Sequence, residues 1–381
     1  MSEELLDTLR RAPDLEAPNL FAVDASDRLI LDEAAPELEQ APAGTVVVIG
    51  DHYGALTLGA ADRFGATGIR THQDRLTGEL ALAANAERVG LTGAFVSLPL
   101  GPSLVAGARV VLLQLPRSLE ALDEIAGLIA EHADPGVVVV AGGRVKHMSR
   151  TMNDVLGRHF SSVQARLARQ KSRVLIASDP FSVEQQPAPR WPAAERHEDL
   201  PGGRHVTVCA HGGAFAGTSV DIGTRFLLEH LDQMSPDAAT ALDLGCGTGV
   251  LAVALAQARP GLRVTATDES FAAVMSARAT AEANGVADRV TVLRADAATD
   301  VPDASVDLVV LNPPFHVGAA VHPGLARRLF ADAARVLRPG GELWVVWNSH
   351  LMYRPTLEQV SGPTRQVDRN AKFTVTVSTR R

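Results

Sequence analysis

Two short apolar runs, each closing on a glycine-bearing turn, constrain this chain more than any other feature, because they match one another. Thr45-Val46-Val47-Val48-Ile49-Gly50-Asp51-His52-Tyr53-Gly54 corresponds to Thr240-Ala241-Leu242-Asp243-Leu244-Gly245-Cys246-Gly247-Thr248-Gly249. Further on, Arg109-Val110-Val111-Leu112-Leu113-Gln114-Leu115-Pro116 corresponds to Asp307-Leu308-Val309-Val310-Leu311-Asn312-Pro313-Pro314. The landmarks keep their spacing, with 64 positions from Gly50 to Gln114 and 67 from Gly245 to Asn312. An apolar strand that ends in glycine and leads into a helix is a building block of open, doubly wound sheets. The repetition therefore predicts two such folds in tandem. The competing reading is two unrelated α/β domains that share a generic pattern.

Length admits the tandem, since 381 residues is well beyond one typical domain of about 150. Pro187, Pro189, Pro192 and Pro201 fall in a polar stretch that should hold neither a regular helix nor a central strand. Residues 181–203 are accordingly expected to be a linker between a first domain over 1–180 and a second over 204–381. In the second domain the pattern predicts strands at 241–244, 263–267, 290–294, 308–311 and 342–347. Helices are expected at 250–259, 271–284 and 324–337, with a turn at 338–341. Such alternation implies a mainly parallel sheet covered on both faces.

Composition narrows the class. The chain is 46% hydrophobic and 21% charged, with no run near the ~18 uninterrupted apolar residues of a membrane span. No membrane association is expected. The start, Met1-Ser2-Glu3-Glu4, is acidic and unlike a secretory signal, and Cys209 and Cys246 are the two cysteines of the chain. A cytoplasmic location is expected, without a disulfide framework or a cysteine-based zinc site. A net charge of −8 argues against indiscriminate nucleic-acid binding but leaves room for a local basic patch.

Gly245, Gly247 and Gly249 form a loop in which the backbone can approach a ligand closely. Position 250, where a dinucleotide fingerprint needs its third glycine, is Val250, which disfavours pyrophosphate. Asp268 ends the next strand, where a carboxylate can accept from two ribose hydroxyls, and Asp296 follows the third, within reach of an adenine amino group. Together these residues favour a nucleoside-containing cofactor. Cys246 reads as a packing residue of the loop rather than a nucleophile.

Asn312-Pro313-Pro314-Phe315 follows a strand and so shares a sheet edge with the glycine loop. Its prolines remove N–H donors and leave carbonyls facing outward. The Asn312 side-chain oxygen and the Pro313 carbonyl can accept the two protons of a planar exocyclic amine, and Phe315 offers a stacking surface. An amine conjugated to a ring is a poor nucleophile, and acceptors aimed at its hydrogens raise electron density on nitrogen as it attacks. This is amino-group methylation chemistry. A sulfonium donor suits it, because the neutral thioether leaves without a covalent enzyme intermediate.

These motifs resemble those of the class I S-adenosylmethionine-dependent methyltransferases, and more narrowly the bacterial ribosomal RNA guanine-N2 methyltransferases of the RsmC/RlmG type. His316 extends the second motif, the segment Gly213-Ala214-Phe215 through Asp221-Ile222-Gly223-Thr224 resembles the family's approach to the catalytic unit, and Asn370-Ala371-Lys372-Phe373 precedes the last strand. The segment differs from the family in reading Ala-Phe-Ala-Gly-Thr where a Val-Phe-Ser type of stretch is expected. The resemblance implies tandem Rossmann-like methyltransferase folds, with a degenerate N-terminal copy. It also implies S-adenosylmethionine as cofactor, held by Asp243, Gly245, Gly247, Asp268, Asp296 and Asn312. Asn312, Pro313 and Phe315 would carry catalysis, Phe215, Phe315 and His316 would meet the substrate, and Thr224 would help close the pocket.

In the first copy, Asp51, His52 and Tyr53 stand inside the glycine loop and Gln114-Leu115-Pro116-Arg117 replaces Asn-Pro-Pro-Phe. Bulky His52 is expected to fill cofactor space. Arg144, Lys146, Arg150, Arg158, Arg166, Arg169, Lys171 and Arg173 face one acid, Asp154, in the same stretch. We read Arg144, Lys146, Arg166, Arg169, Lys171 and Arg173 as an RNA-docking cluster, against a solvated charged face as the plainer alternative. His316, His322 and His350 form no metal-ligand pattern, so no metal is expected. The expected function is methyl transfer to the exocyclic N2 of a guanine in ribosomal RNA, by a monomer acting on the RNA or a ribosomal subunit. The alternatives are methylation of adenine N6 or a glutamine amide, and a non-catalytic RNA-binding assembly factor.

Overall fold

The computed structural model describes residues 2–188, 190–313 and 323–381. It divides into two compact units, Met1–Trp191 and Pro192–Arg381. The first holds strands β1 (Val46–Ile49), β2 (Ile69–His72), β3 (Phe95–Ser97), β4 (Val110–Gln114), β5 (Val138–Arg144), β6 (Phe160–Ala165) and β7 (Ser172–Pro180). The second opens on a hairpin of β8 (Ala193–Leu200) and β9 (Arg204–Ala210). Its main sheet comprises β10 (Thr240–Leu244), β11 (Arg263–Asp268), β12 (Val290–Arg294), β13 (Val306–Leu311), β14 (Leu337–Asn348), β15 (Thr364–Arg369) and β16 (Phe373–Thr379).

The two main sheets share one plan. Their orders are β3-β2-β1-β4-β5-β7-β6 and β12-β11-β10-β13-β14-β16-β15. In both, the first five strands run parallel and the last two pair antiparallel. A generic α/β pattern would not reproduce a seven-strand order together with its reversal, so the fold is a tandem, as the repeat predicts. Register supplies the equivalences: Ile49 pairs with Leu113 as Leu244 pairs with Leu311. The Gly50 N–H donates to His72 as the Gly245 N–H donates to Thr267. Gln73 thus stands where the second unit has Asp268, and Gln114 where it has Asn312.

Parallel strands buried on both faces read as continuous apolar runs, and period-2 alternation sends neighbouring side chains to opposite faces. Leu308 and Val310 join a core with Val253 and Leu255 of helix Val250–Ala258. Val309 and Leu311 join another, with Phe330 of helix Pro323–Val336. The first unit has its own pair of cores.

Two expectations need correction. The supposed linker 181–203 contains β8, paired with β9. Its prolines stop at Pro192 and resume at Pro201, leaving eight residues free to donate to a ladder, and Gly202 and Gly203, at φ 78° and 68°, turn the chain back. The expected turn at 338–341 is taken up in the long strand β14, which slips register against β13 between Val306 and Leu308.

Candidate active site

The glycine loop lies at the carboxyl end of β10, beside the end of β13. Gly245, Gly247 and Gly249 have φ of 69°, 53° and 79°, a region that side chains enter at a cost. Their jobs differ. A Cβ on Gly249 would stand 2.9 Å from the Cβ of Ala277, so this glycine lets helix Phe271–Ala283 approach. A Cβ on Gly245 or Gly247 would meet nothing within 4 Å. The loop thus presents bare backbone to open space at a sheet edge, where doubly wound folds bind ligands.

Acidic groups surround the loop. Asp268 accepts from the Gly247 N–H at 3.0 Å through Oδ2 and from the Ser270 N–H at 2.9 Å through Oδ1. Asp243 is buried beneath the loop and accepts from the Ala252 N–H of the following helix at 3.0 Å. Burial pushes its carboxyl up to about 7, and nearby Asp268 adds to the rise, while the Ala252 N–H opposes it. Asp296 receives both guanidinium nitrogens of Arg328, at 2.6 and 3.1 Å, an engagement that sequence spacing did not reveal.

The Asp243 shift has a measurable consequence. A carboxyl whose folded pKa lies above its unfolded value binds its proton more tightly in the folded state, so stability is fullest below the unfolded pKa and falls as pH rises towards the folded one. Asp243 therefore contributes a falling slope between about pH 4 and pH 7, at most ~1.4 kcal/mol per pH unit. Asp243→Asn keeps an acceptor for Ala252 and removes the titration. In urea unfolding without cofactor, this variant should gain stability relative to the wild type between pH 5 and pH 8.

Asn312 leaves the end of β13 with its amide engaged on one side. Its Nδ2 donates to Asp221 Oδ2 at 2.9 Å and to Thr224 Oγ1 at 3.1 Å. Its Oδ1 is buried and has no hydrogen-bond partner among the described residues. Pro313 is buried beside it. Phe315 and His316 lie outside the described residues. Phe215 is 74% exposed on the loop that precedes helix Ile222–Leu228. Asp221, the N-cap of that helix, was missed as a site residue, although Asp221-Ile222-Gly223-Thr224 has the form of a capping sequence.

The first unit carries different groups at the corresponding positions. Asp51, at the Cys246 position, accepts from the Leu56 and Thr57 N–H groups at 2.6 and 2.8 Å. It is buried, and burial pushes its carboxyl up to about 6. His52 takes the Gly247 position at φ 58° but is exposed. Asp51 therefore caps the following helix as Asp243 does in the second unit, and His52 stands exposed at the loop. Gln73, with its amide turned to satisfy both groups, donates to the His52 and Gly78 carbonyls.

The basic cluster divides. Arg166 and Arg169 lie within 3.7 Å of Asp32 or Glu33 carboxylate oxygens, acids remote in sequence that weaken their reading as free phosphate ligands. Arg144, Lys146, Lys171 and Arg173 gather where β5 ends and β7 begins, with Arg144 opposite Ser172 and the Val145 N–H donating to Lys171.

A seven-strand sheet of this order, with a glycine loop after its central strand and an Asn-Pro corner after the neighbouring one, defines a class I methyltransferase fold. Family models match accordingly: the methyltransferase small domain over residues 205–377 and the RLMG N-terminal domain over residues 2–182. The chain is 38% identical over 377 residues to the ribosomal RNA large subunit methyltransferase G of Streptomyces coelicolor, and 37% identical over 373 residues to that of Pseudomonas aeruginosa, covering 96% of each chain. The chain belongs to the ribosomal RNA large subunit methyltransferase G family. A solved structure of the T. thermophilus 16S rRNA N2 guanine methyltransferase RsmC, in complex with AdoMet and guanosine, shares the fold across 96% of this chain and 97% of that one. Its TM-score is 0.73 at 23% identity. Among the described residues no helix is long and apolar enough to cross a membrane.

Proposed function

We propose that this chain transfers a methyl group from S-adenosylmethionine to the exocyclic N2 amine of a guanine in large-subunit ribosomal RNA. The observation that carries the reading is the buried Asn312 Oδ1, without a hydrogen-bond partner among the described residues, at the carboxyl end of β13, beside the open glycine loop of β10. An orphaned acceptor in a site is satisfied when a donor arrives, and a guanine amine brings two. Gly245, Gly247, Asp243 and Asp268 would hold the cofactor, Asp268 turning from loop amides towards ribose hydroxyls. Asp296 would face the base while Arg328 holds its carboxylate. The cofactor supplies an electrophilic methyl on a cationic sulfur.

The residues of the chain do the rest. Asn312 Oδ1 and the Pro313 carbonyl accept the amine hydrogens, orient the nitrogen lone pair towards the methyl, and stabilise positive charge as the bond forms. Phe315, with Phe215 and His316, would stack on or flank the base, which must be unpaired or flipped to enter. Arg144, Lys146, Lys171 and Arg173 would meet RNA phosphates, with Arg166 and Arg169 contributing less because Asp32 and Glu33 already face them. The family name of the relatives and the guanosine in the RsmC complex support the choice of ribosomal guanine over other planar amines.

The test is product identity. Ribosomal RNA from cells lacking the protein, incubated with the protein and methyl-labelled S-adenosylmethionine, digested and analysed by mass spectrometry, should yield labelled N2-methylguanosine. Label in N6-methyladenosine or in protein would overturn the assignment.

A further inference from the structure

We infer that Asp221, Gly223 and Thr224 are positioning residues that fix which end of the Asn312 amide is offered to the substrate. The inference rests on the reading of Asn312 as holder of the target amine. A primary amide at the end of a side chain has a roughly two-fold torsional preference, so Asn312 has two nearly equivalent settings unless neighbours choose between them. Asp221 chooses, because an ionised carboxylate can only accept. Its Oδ2 takes Asn312 Nδ2 at 2.9 Å together with the Gly223 N–H at 2.8 Å, and Thr224 Oγ1 offers Nδ2 a second acceptor at 3.1 Å. Turning the amide over would set Oδ1 against the carboxylate and point N–H groups at an amine that itself brings donors. That setting binds nothing and activates nothing.

Gly223 keeps the selected oxygen available. A Cβ there would lie 3.1 Å from Asn312 Oδ1 and 3.0 Å from Asp221 Oδ2. The first unit shows what a side chain does at this place. Its equivalent helix, Ala25–Glu33, starts at the N-cap Asp24, so Ser26 and Asp27 stand where the second unit has Gly223 and Thr224. Gln114 donates through Nε2 to Asp27 Oδ1 and to Ser26 Oγ at 3.3 Å, while the Ser26 hydroxyl donates to Asp24 Oδ1 and its oxygen stands 3.4 Å from Gln114 Oε1. The helix side chains hold one end of that amide and crowd the other. In the second unit the serine is glycine, one end is held and the other has no partner among the described residues.

The experiment compares Thr224→Val, Thr224→Ser, Gly223→Ser and Asn312→Ala in the full chain. It measures kcat and KM for ribosomal RNA, S-adenosylmethionine affinity by calorimetry, and melting temperature. Thr224→Val should lower kcat about 10-fold, the effect of one lost neutral hydrogen bond, with cofactor affinity and melting temperature unchanged, and Thr224→Ser should restore it. Gly223→Ser should lower kcat further by crowding Oδ1. Wild-type kcat in both Thr224→Val and Gly223→Ser, or a Thr224→Val loss confined to cofactor affinity, overturns the clamp, provided Asn312→Ala loses at least about 10²-fold in kcat. Wild-type turnover by Asn312→Ala instead overturns the amine-holding reading itself.

Discussion

Asn312→Ala should bind S-adenosylmethionine as tightly as the wild type and lose about 10²–10³-fold in kcat, the usual effect of removing one preorganised partner of a charge that develops in the transition state. The side chain makes its described contacts at one end, with Asp221 and Thr224. Truncation therefore leaves the glycine loop, Asp243 and Asp268 where they are. Calorimetry reports the cofactor, and single-turnover transfer to ribosomal RNA reports the chemistry. A variant that loses cofactor affinity in step with turnover would place Asn312 in the cofactor site and away from the amine.

Gly247→His should have the opposite signature. The substitution transplants the residue that the first unit carries at this position, where His52 already sits at φ 58° against 53° for Gly247. The backbone accommodates it at the cost of about 1 kcal/mol for a side chain in the left-handed region, so the variant should fold with its melting temperature lowered by only a few degrees. The imidazole would then stand in space where a Cβ now meets nothing within 4 Å. Overfilling of a fitted site costs about 1–3 kcal/mol, so cofactor affinity should fall up to ~100-fold, with a matching loss of kcat/KM at low cofactor concentration. Unchanged affinity by calorimetry would show that the loop does not cradle the cofactor.

The sequence disclosed local features well. Apolar runs ending in glycine located β1 and β10, and equal spacing to Gln114 and Asn312 located β4 and β13, because parallel central strands are buried on both faces and write themselves as continuous hydrophobic segments. What it withheld was long-range. The Asp221 carboxylate reaches Asn312 across 91 positions, and Arg328 reaches Asp296 across 32. Neither contact leaves a periodic trace. The same blindness hid the acids that face Arg166 and Arg169, which lie on the helix Ala25–Glu33. Counting prolines without asking where they stop hid β8. His52 drew attention by its size, whereas the smaller Asp51 is the residue that meets the helix amides.

The contrast between Gln114 and Asn312 reaches into how the molecule responds to ligands. The first unit meets its Gln114 amide with its own Asp27 and Ser26, although its buried Asp51 carboxyl is also pushed up, to about 6. The second keeps a carboxyl held near neutrality and an amide oxygen with nothing described to accept from. Whatever cation and donor relieve these groups will bind the native form in preference to the unfolded chain, and thermal resistance in that half will rise with their concentration. Duplication has thus left one polypeptide with an amide met by its own helix in the first unit and, in the second, an amide oxygen that no described residue meets.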